Sequence, residues 1–242
     1  MGRFVAFLKD TSGSQPFLRV PGIVLWLIIV LLGAHAVRVW IFPQDSNWLF
    51  IDYGFVPARY SHAYLTSHWY SPSSLPNPVL PFVTYMFLHG SWTHVIVNCV
   101  WLLAFGPVVA RRFGSPLLVV FFLLCGAGGA AAHLALNWAD ANPLIGASAG
   151  ISGLMAAAFR MLPVETRAAP NTLAPILSTR IIVWTLLWVG VNFVAGKMGL
   201  GTGGTGDVVA WQAHLGGYAV GLILALPFDM IARPRGSSGT ES

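Results

Sequence analysis

The sequence predicts an all-α polytopic membrane protein with six transmembrane helices and a long first extracytoplasmic loop. Of its 242 residues, 56% are hydrophobic and only 9% are charged, whereas soluble domains carry roughly 25% charged residues. The apolar residues form runs close to the ~20 residues that a helix needs to cross a bilayer. The Lys and Arg residues cluster at the ends of these runs, as the positive-inside rule predicts.

The six predicted spans are residues 23–42, 82–110, 116–138, 148–162, 176–195 and 208–231. The first connection, residues 43–81, is rich in proline, serine and aromatic residues, which suits a structure at the level of the lipid headgroups. Its His62 and His68 are interpreted as interfacial residues, because no partner has the spacing of a metal site. The glycine-rich loop 196–207 and the fifth span are the predicted moving gate.

The charges also predict the orientation. Residues 1–20 are expected to be a cytoplasmic leader, residues 21–231 the membrane domain, and residues 232–242 a disordered cytoplasmic tail. This arrangement places ten of the 13 Lys and Arg residues in the cytoplasm, namely Arg3, Lys9, Arg19, Arg111, Arg112, Arg160, Arg167, Arg180, Arg233 and Arg235. The expected location is a bacterial inner membrane, with both termini inside.

Other function classes fit the composition less well. The net charge of +5 comes from clusters beside the spans, so nucleic-acid binding is not expected. Cys99 and Cys125 lie within apolar spans and are interpreted as small buried hydrophobic residues. A histidine-lined metal or proton transporter would need a carboxylate near the middle of a span, and none of the eight acidic residues lies there. No metal and no organic cofactor is predicted.

Three groups of polar residues lie inside the predicted spans. His94 and Asn98 in the second span are four residues apart and share a helix face. Ser148 begins the fourth span. His214 lies in the sixth, seven residues after Asp207, or roughly 10 Å along a helix. These three spans run in the same direction with the polar group near the outer end, so the side chains are expected at one depth.

This convergence has two interpretations. A serine hydroxyl becomes a nucleophile beside a base, most often a histidine, which would pair Ser148 with His214. His94, Asn98 and the backbone N–H of Ser148 would then stabilise an oxyanion. In the second interpretation, the four side chains bond to one another and only fix the helix packing.

The small-residue stretch 146–153 contains two serines one helical turn apart. Gly146 to Gly150 also fits the G-x-S-x-G elbow of α/β-hydrolases, but that elbow follows a strand, and the residues before Gly146 predict a turn. Ser152, in a G-x-S-G string, is the alternative nucleophile, about 6 Å deeper along the helix. In the sixth span, Gly217 and Gly221 form a stripe of small residues that favours close helix packing.

The pattern resembles the rhomboid intramembrane serine proteases. The resemblance rests on His94-x-x-x-Asn98, Gly146-Ala147-Ser148 and Ala213-His214-x-x-Gly217-x-x-x-Gly221, in this order. It implies a rhomboid-like six-helix bundle, a dyad of Ser148 and His214, and an oxyanion site of His94, Asn98 and the Ser148 N–H. It also implies that water reaches the site from the outer face and that the substrate helix enters from the side.

Several positions depart from the family's pattern. Ala149 replaces a glycine after the nucleophile, so Gly217 and Gly221 must leave room for its methyl group. Ser152 replaces an aromatic residue, so other side chains must steady His214. The first connection lacks the family's Trp-Arg pair, and residues 106–110 lack its glutamate.

The resemblance also bears on three further residues. Leu154 and Met155 follow Ser148 at the family's spacing, which favours Ser148 over Ser152 as the nucleophile. His89 resembles a family histidine that organises the first loop, although an ordinary interfacial histidine fits equally well. His133 in the third span is interpreted as a packing histidine.

The implied function is an intramembrane serine endopeptidase that cleaves transmembrane segments of membrane proteins near the extracytoplasmic face. Its expected partners are these substrates and the lipid bilayer, and no oligomeric state is predicted. The alternative is a catalytically inactive rhomboid-like protein that binds or escorts transmembrane helices. The joint presence of Ser148, His214, His94 and Asn98 favours the protease.

Overall fold

The computed structural model describes residues 20–42, 46–61, 77–162, 172–198 and 210–233. Most of the predicted leader, tail and glycine-rich loop, together with His62 and His68, lies outside these ranges. Inside them the fold is all-α, apart from one isolated bridge between Phe55 and Leu144. The helices are α1 Gly22–Ile41, α2 Ser46–Tyr53, α3 Trp92–Phe113, α4 Ser115–Leu136, α5 Ser148–Met161, α6 Thr179–Lys197 and α7 Trp211–Ala232.

Five of these helices, α1, α3, α4, α6 and α7, are long and apolar enough to cross a membrane. The predicted all-α membrane fold is therefore confirmed. Helix α5 has 14 residues and is about 21 Å long at 1.5 Å per residue, less than the ~30 Å hydrocarbon core of a bilayer. It lies inside the bundle, where every residue from Ala149 to Arg160 is buried.

The predicted second span was wrong at its start. Residues 82–110 do not form one helix, because the chain makes a helical turn at Pro81–Thr84, a 3-10 turn at Tyr85–Phe87 and a non-helical passage at 88–91 before α3 begins. Ser91 ends this passage as the N-cap of α3, where its side chain accepts a hydrogen bond from the His94 N–H. Gly90 and Ser91 mark this break within an otherwise apolar run.

The other predicted boundaries agree more closely. The first, third and fourth spans match α1, α4 and α5 to within about two residues. The fifth span begins later than predicted, since Ser178 precedes the first helical residue, Thr179. The sixth begins at Trp211 and not at 208.

Helix α5 is the centre of the bundle and packs against α3, α4 and α7, while α1 lies against α3. Close approach to α7 depends on glycine. A Cβ at Gly217 would overlap the carbonyl of Ala149, and a Cβ at Gly221 would overlap the backbone of Gly153. Room for the methyl group of Ala149 comes from Gly129 on α4, where an added Cβ would lie 2.5 Å from it. Gly129 therefore adds to the room that Gly217 and Gly221 were expected to leave.

Helix α6 is attached much less closely. Its apolar side chains are mostly exposed, and within α6 only Ile181 and Asn192 are buried. Two side-chain hydrogen bonds join it to α7, one between Thr185 and Tyr218 and one between Asn192 and His214. Trp184 also stacks on Phe159 of α5, and Ile181 joins a small buried apolar cluster with Tyr218 and Leu222. Helix α6 thus reaches the core through a few side chains, both polar and apolar.

Arginines cluster at the C-terminal ends of helices α3, α5 and α7. Arg112 pairs with Asp229 at 2.6 Å, and Arg233 pairs with the same carboxylate at 2.8 Å. Arg160 is buried and donates to the carbonyls of Ala174 and Leu222. The charged end of the bundle is therefore tied together by arginine, whereas the opposite end holds the polar residues described next.

Candidate active site

The predicted nucleophile and base are in contact. Ser148 is the first residue of α5, and its Oγ lies 2.7 Å from Nε2 of His214, near the start of α7. Both side chains are half-buried and line one cavity of about 740 Å³. A hydroxyl at this distance from an imidazole nitrogen can transfer its proton directly.

The segment that leads into Ser148 is held by backbone hydrogen bonds. Leu144 exchanges two of them with Phe55, Gly146 N–H donates to the carbonyl of Tyr85 at 2.9 Å, and Ala147 N–H donates to Nε2 of His89 at 3.4 Å. Gly146 has φ of 110°, and a Cβ there would lie 2.7 Å from Nε2 of His94. Glycine is therefore required, and the position of Ser148 is fixed before any substrate binds. No strand of a sheet precedes the serine, which argues against the hydrolase elbow.

His89 is fully buried and is not an exposed interfacial residue. It helps to hold the segment that leads into Ser148. Its carbonyl accepts a hydrogen bond from Nδ1 of His35, and the neighbouring Gly90 carbonyl accepts one from Arg38, both on α1. Burial, followed by the nearby His94 and His35, lowers the pKa of His89. A neutral imidazole can accept at Nε2, so His89 links α1 to the residue before the nucleophile.

His94 and Asn98 lie on α3 and line the same cavity. Asn98 donates one hydrogen of Nδ2 to the carbonyl of His94 at 3.1 Å. An amide nitrogen carries two hydrogens, so the second can serve a ligand. Since Ser148 begins α5, its backbone N–H has no acceptor within the helix. The structure thus brings together all four polar side chains that the sequence predicts at one depth.

Ser152 is placed less well for attack. It is 3% exposed, and its Oγ donates to the carbonyl of Ser148 at 2.7 Å. Its hydroxyl hydrogen is thereby used within the helix. The geometry favours Ser148 as the nucleophile.

Two residues that steady His214 were missed in the sequence. Asn192 on α6 accepts at Oδ1 from Nδ1 of His214, with 2.6 Å between the two atoms. The ring of Trp188 stacks against the imidazole with 6.4 Å between centroids and an angle of 30° between planes. These side chains take the place of the aromatic residue that Ser152 replaces. The signal was an asparagine within the apolar run 176–195.

The cavity is lined by residues of two kinds. Apolar residues such as Trp101, Phe105 and Met155 contribute to its wall, and so do the polar residues His133, Asn137 and Asp140. His133 is buried and accepts a hydrogen bond from the Asn137 amide at 3.2 Å. It also lines the cavity, so it does more than pack between helices. Within the described ranges, no three His, Cys, Asp or Glu side chains come together as metal ligands.

A comparison with known families agrees with this arrangement. The chain matches the rhomboid domain over residues 76–229, which is more than half of its 242 residues. The matched range contains His94, Asn98, Ser148 and His214, and it includes α3 to α6 and most of α7. With its all-α fold and five apolar helices long enough to span a bilayer, the protein is an integral membrane protein that belongs to the rhomboid family.

Proposed function

We propose that the protein is an intramembrane serine endopeptidase that cleaves transmembrane segments with a dyad of Ser148 and His214. The observation that carries this proposal is the 2.7 Å hydrogen bond between Ser148 Oγ and His214 Nε2 inside a cavity. A purely structural pair would not need an open cavity of about 740 Å³ beside the hydroxyl. A protein that only binds helices would have no need for this arrangement.

In the proposed reaction, Ser148 Oγ attacks the scissile carbonyl carbon while its proton passes to Nε2 of His214. The carbonyl oxygen becomes an oxyanion, which the second amide hydrogen of Asn98, His94 and the Ser148 N–H stabilise. The imidazolium of His214 then gives its proton to the leaving amine, and the peptide bond breaks. Water, deprotonated by His214, attacks the acyl-enzyme ester, and Ser148 is restored.

The proposed orientation follows from the two ends of the bundle. Arg111, Arg112, Arg160 and Arg233 lie at or just beyond the ends of their helices, and the dyad lies at the starts. The positive-inside rule assigns the arginine end to the cytoplasm, with a bacterial inner membrane as the proposed location. Cleavage then occurs in the extracytoplasmic half of the bilayer.

The depth of the site restricts the substrate. The backbone of a membrane helix is protected by its own hydrogen bonds, so the protease must receive an unwound segment. Unwinding is easiest at weak helix formers, because Gly costs a helix about 1 kcal/mol relative to Ala and Pro about 3 kcal/mol. The proposed substrates carry small or helix-breaking residues near the extracytoplasmic end and are cut beside a small side chain. They enter past α6, the helix attached least closely to the core.

The proposal is tested with one transmembrane substrate in which a Gly-Pro site is moved stepwise along the helix, with the protease and substrate reconstituted in liposomes. Cleavage should occur when the Gly-Pro site lies at the extracytoplasmic end of the substrate helix. It should disappear when Leu replaces the glycine and the proline. The Ser148→Ala variant is the control and should cleave nothing. Equal cleavage at the cytoplasmic end would refute the substrate model, and binding without cleavage would favour the inactive helix-binding alternative.

A further inference from the structure

Asn192 is a buried polar residue on a helix whose side chains are mostly exposed. Its side chain is 4% exposed, whereas Val191, Phe193 and Val194 beside it are 54%, 47% and 50% exposed. A polar group inside a membrane is stable only when it is paired. Asn192 therefore needs defined partners, and the partners it has are at the proposed active site.

Both halves of the Asn192 amide are used. Its Nδ2 donates to the carbonyl of Trp188, one turn earlier on α6, at 2.8 Å. A carbonyl only accepts, so this bond fixes which end of the amide is nitrogen. Oδ1 consequently faces Nδ1 of His214 at 2.6 Å. Rotating the amide by half a turn would set oxygen against oxygen at Trp188.

The fixed amide in turn determines where the imidazole holds its hydrogen. Because Oδ1 only accepts, Nδ1 of His214 must carry the hydrogen of the 2.6 Å bond. In a neutral imidazole Nε2 is then unprotonated and accepts from Ser148 Oγ at 2.7 Å. This is the one neutral tautomer in which His214 can remove a proton from the serine.

From this geometry we infer that Asn192 is a positioning residue of the protease, which holds His214 in the Nδ1-protonated tautomer and turns the proposed dyad into a Ser148–His214–Asn192 chain. The inference rests on the proposed function. Asn192 touches neither the substrate nor the reacting atoms and acts only through His214. The titratable side chains that line the same cavity are His94, His133 and Asp140.

The inference also links the base to the helix that we propose the substrate passes. Asn192 and Trp188 both lie on α6, so a displacement of α6 removes the acceptor of Nδ1 and the stacked ring together. The base is then fully positioned only when α6 lies against α7. Such a protease is least reactive while α6 is displaced to admit a substrate helix.

The test compares three α6 variants on the full chain in detergent and in liposomes. Asn192→Leu keeps the volume and removes the acceptor. Asn192→Asp restores an oxygen toward Nδ1 whether or not the carboxyl is ionised. Thr185→Val is the matched control, since it removes the other α6–α7 hydrogen bond, to Tyr218, without contact with His214.

We expect Asn192→Leu to lower kcat roughly tenfold, the effect of one lost hydrogen bond, with KM within about twofold of wild type. Asn192→Asp should recover most of the loss, and Thr185→Val should keep kcat within about twofold. Nitrogen-15 NMR of histidine-labelled protein, with His214 assigned from its lost signal in His214→Gln, should show Nδ1 protonated in wild type. In Asn192→Leu the Nε2-protonated form should appear.

A wild-type kcat and an unchanged His214 tautomer in Asn192→Leu would overturn the inference. An equal loss in Asn192→Asp and Asn192→Leu would also overturn it, because it would mean that the oxygen has no role. If Asn192→Leu does not fold, the tautomer in wild type and the rate of Asn192→Asp decide the question. The NMR measurement needs no proteolysis, so a wild-type protein without activity would sink the proposed function and still report on Asn192.

Discussion

Asn98 shows how one side chain can serve both packing and chemistry. Its amide bonds to the His94 carbonyl one turn earlier, which fixes the side chain on the cavity wall. The second amide hydrogen remains for the oxyanion, where charge develops only during the reaction. An interaction of this kind affects the rate more than the stability.

Asn98→Ala should therefore lower kcat about 10²–10³-fold, the usual effect of losing one oxyanion donor. Asn137→Ala is the matched control, because Asn137 makes the same bond to the carbonyl of His133, at 3.0 Å, and lines the same cavity. Its turnover should stay within a few-fold of wild type. Steady-state cleavage of a transmembrane substrate measures both variants, and an unchanged rate in well-folded Asn98→Ala protein would show that Asn98 only packs.

We expect His89 to make the stability of the fold sensitive to acid. Its pKa is lowered in the folded protein, first by burial, so the unfolded chain binds a proton more readily. Stability from the neutral imidazole is thus fully present above the unfolded value of about 6.5 and is lost as pH falls below it, by at most about 1.4 kcal/mol per pH unit.

The prediction is that the Tm of the detergent-solubilised protein falls when the pH is brought below about 6.5. In His89→Gln the fall should be smaller, since glutamine keeps an oxygen acceptor for the Ala147 N–H and binds no proton. Thermal unfolding of both proteins above and below this pH makes the comparison. An equal fall in both would assign the acid sensitivity to other groups.

At the level of the helices, the contact between α5 and α7 carries the dyad. Gly217 and Gly221 let α7 approach the backbone of α5, and this approach brings His214 to Ser148. The contact is backbone against backbone, so neither helix can yield to an added side chain by a rotamer change. Overpacking of a tight core costs about 1–3 kcal/mol.

Gly217→Ala should lower the Tm and reduce activity, because its Cβ would overlap the Ala149 carbonyl and push the dyad apart. Gly33→Ala is the matched control, a glycine inside α1 with nothing within 4 Å of an added Cβ. Its Tm should stay at or slightly above that of wild type. A Gly217→Ala protein with wild-type Tm and activity would show that the two helices can separate without harm.

The helices themselves were largely predictable, because runs of apolar residues set both their existence and their approximate ends. The break at residues 88–91 was overlooked, although Gly90 and the N-cap residue Ser91 mark it in the sequence. It depends on partners far away in the chain, namely His35 and Arg38 on α1, which satisfy the carbonyls of His89 and Gly90. Periodicity and composition carry no information on such contacts.

Considered as a whole, the molecule separates a polar end from an arginine-rich end. The meeting of His94, Asn98, Ser148 and His214 was predictable from the alternating direction of the spans and the position of each residue along its span. The residues that support the site were harder to predict from the sequence. Asn192 lies on α6, which runs antiparallel to α7. Only the packed structure shows that its side chain lies at the same depth in the bundle as His214.

The central claim is that Ser148, activated by His214, is the nucleophile. Covalent labelling of the detergent-solubilised protein with a fluorophosphonate tests it most directly, since the reagent reacts with an activated serine and needs no knowledge of the substrate. Wild type and Ser152→Ala should be labelled, whereas Ser148→Ala and His214→Ala should not. Labelling that persists in Ser148→Ala and disappears in Ser152→Ala would contradict the account.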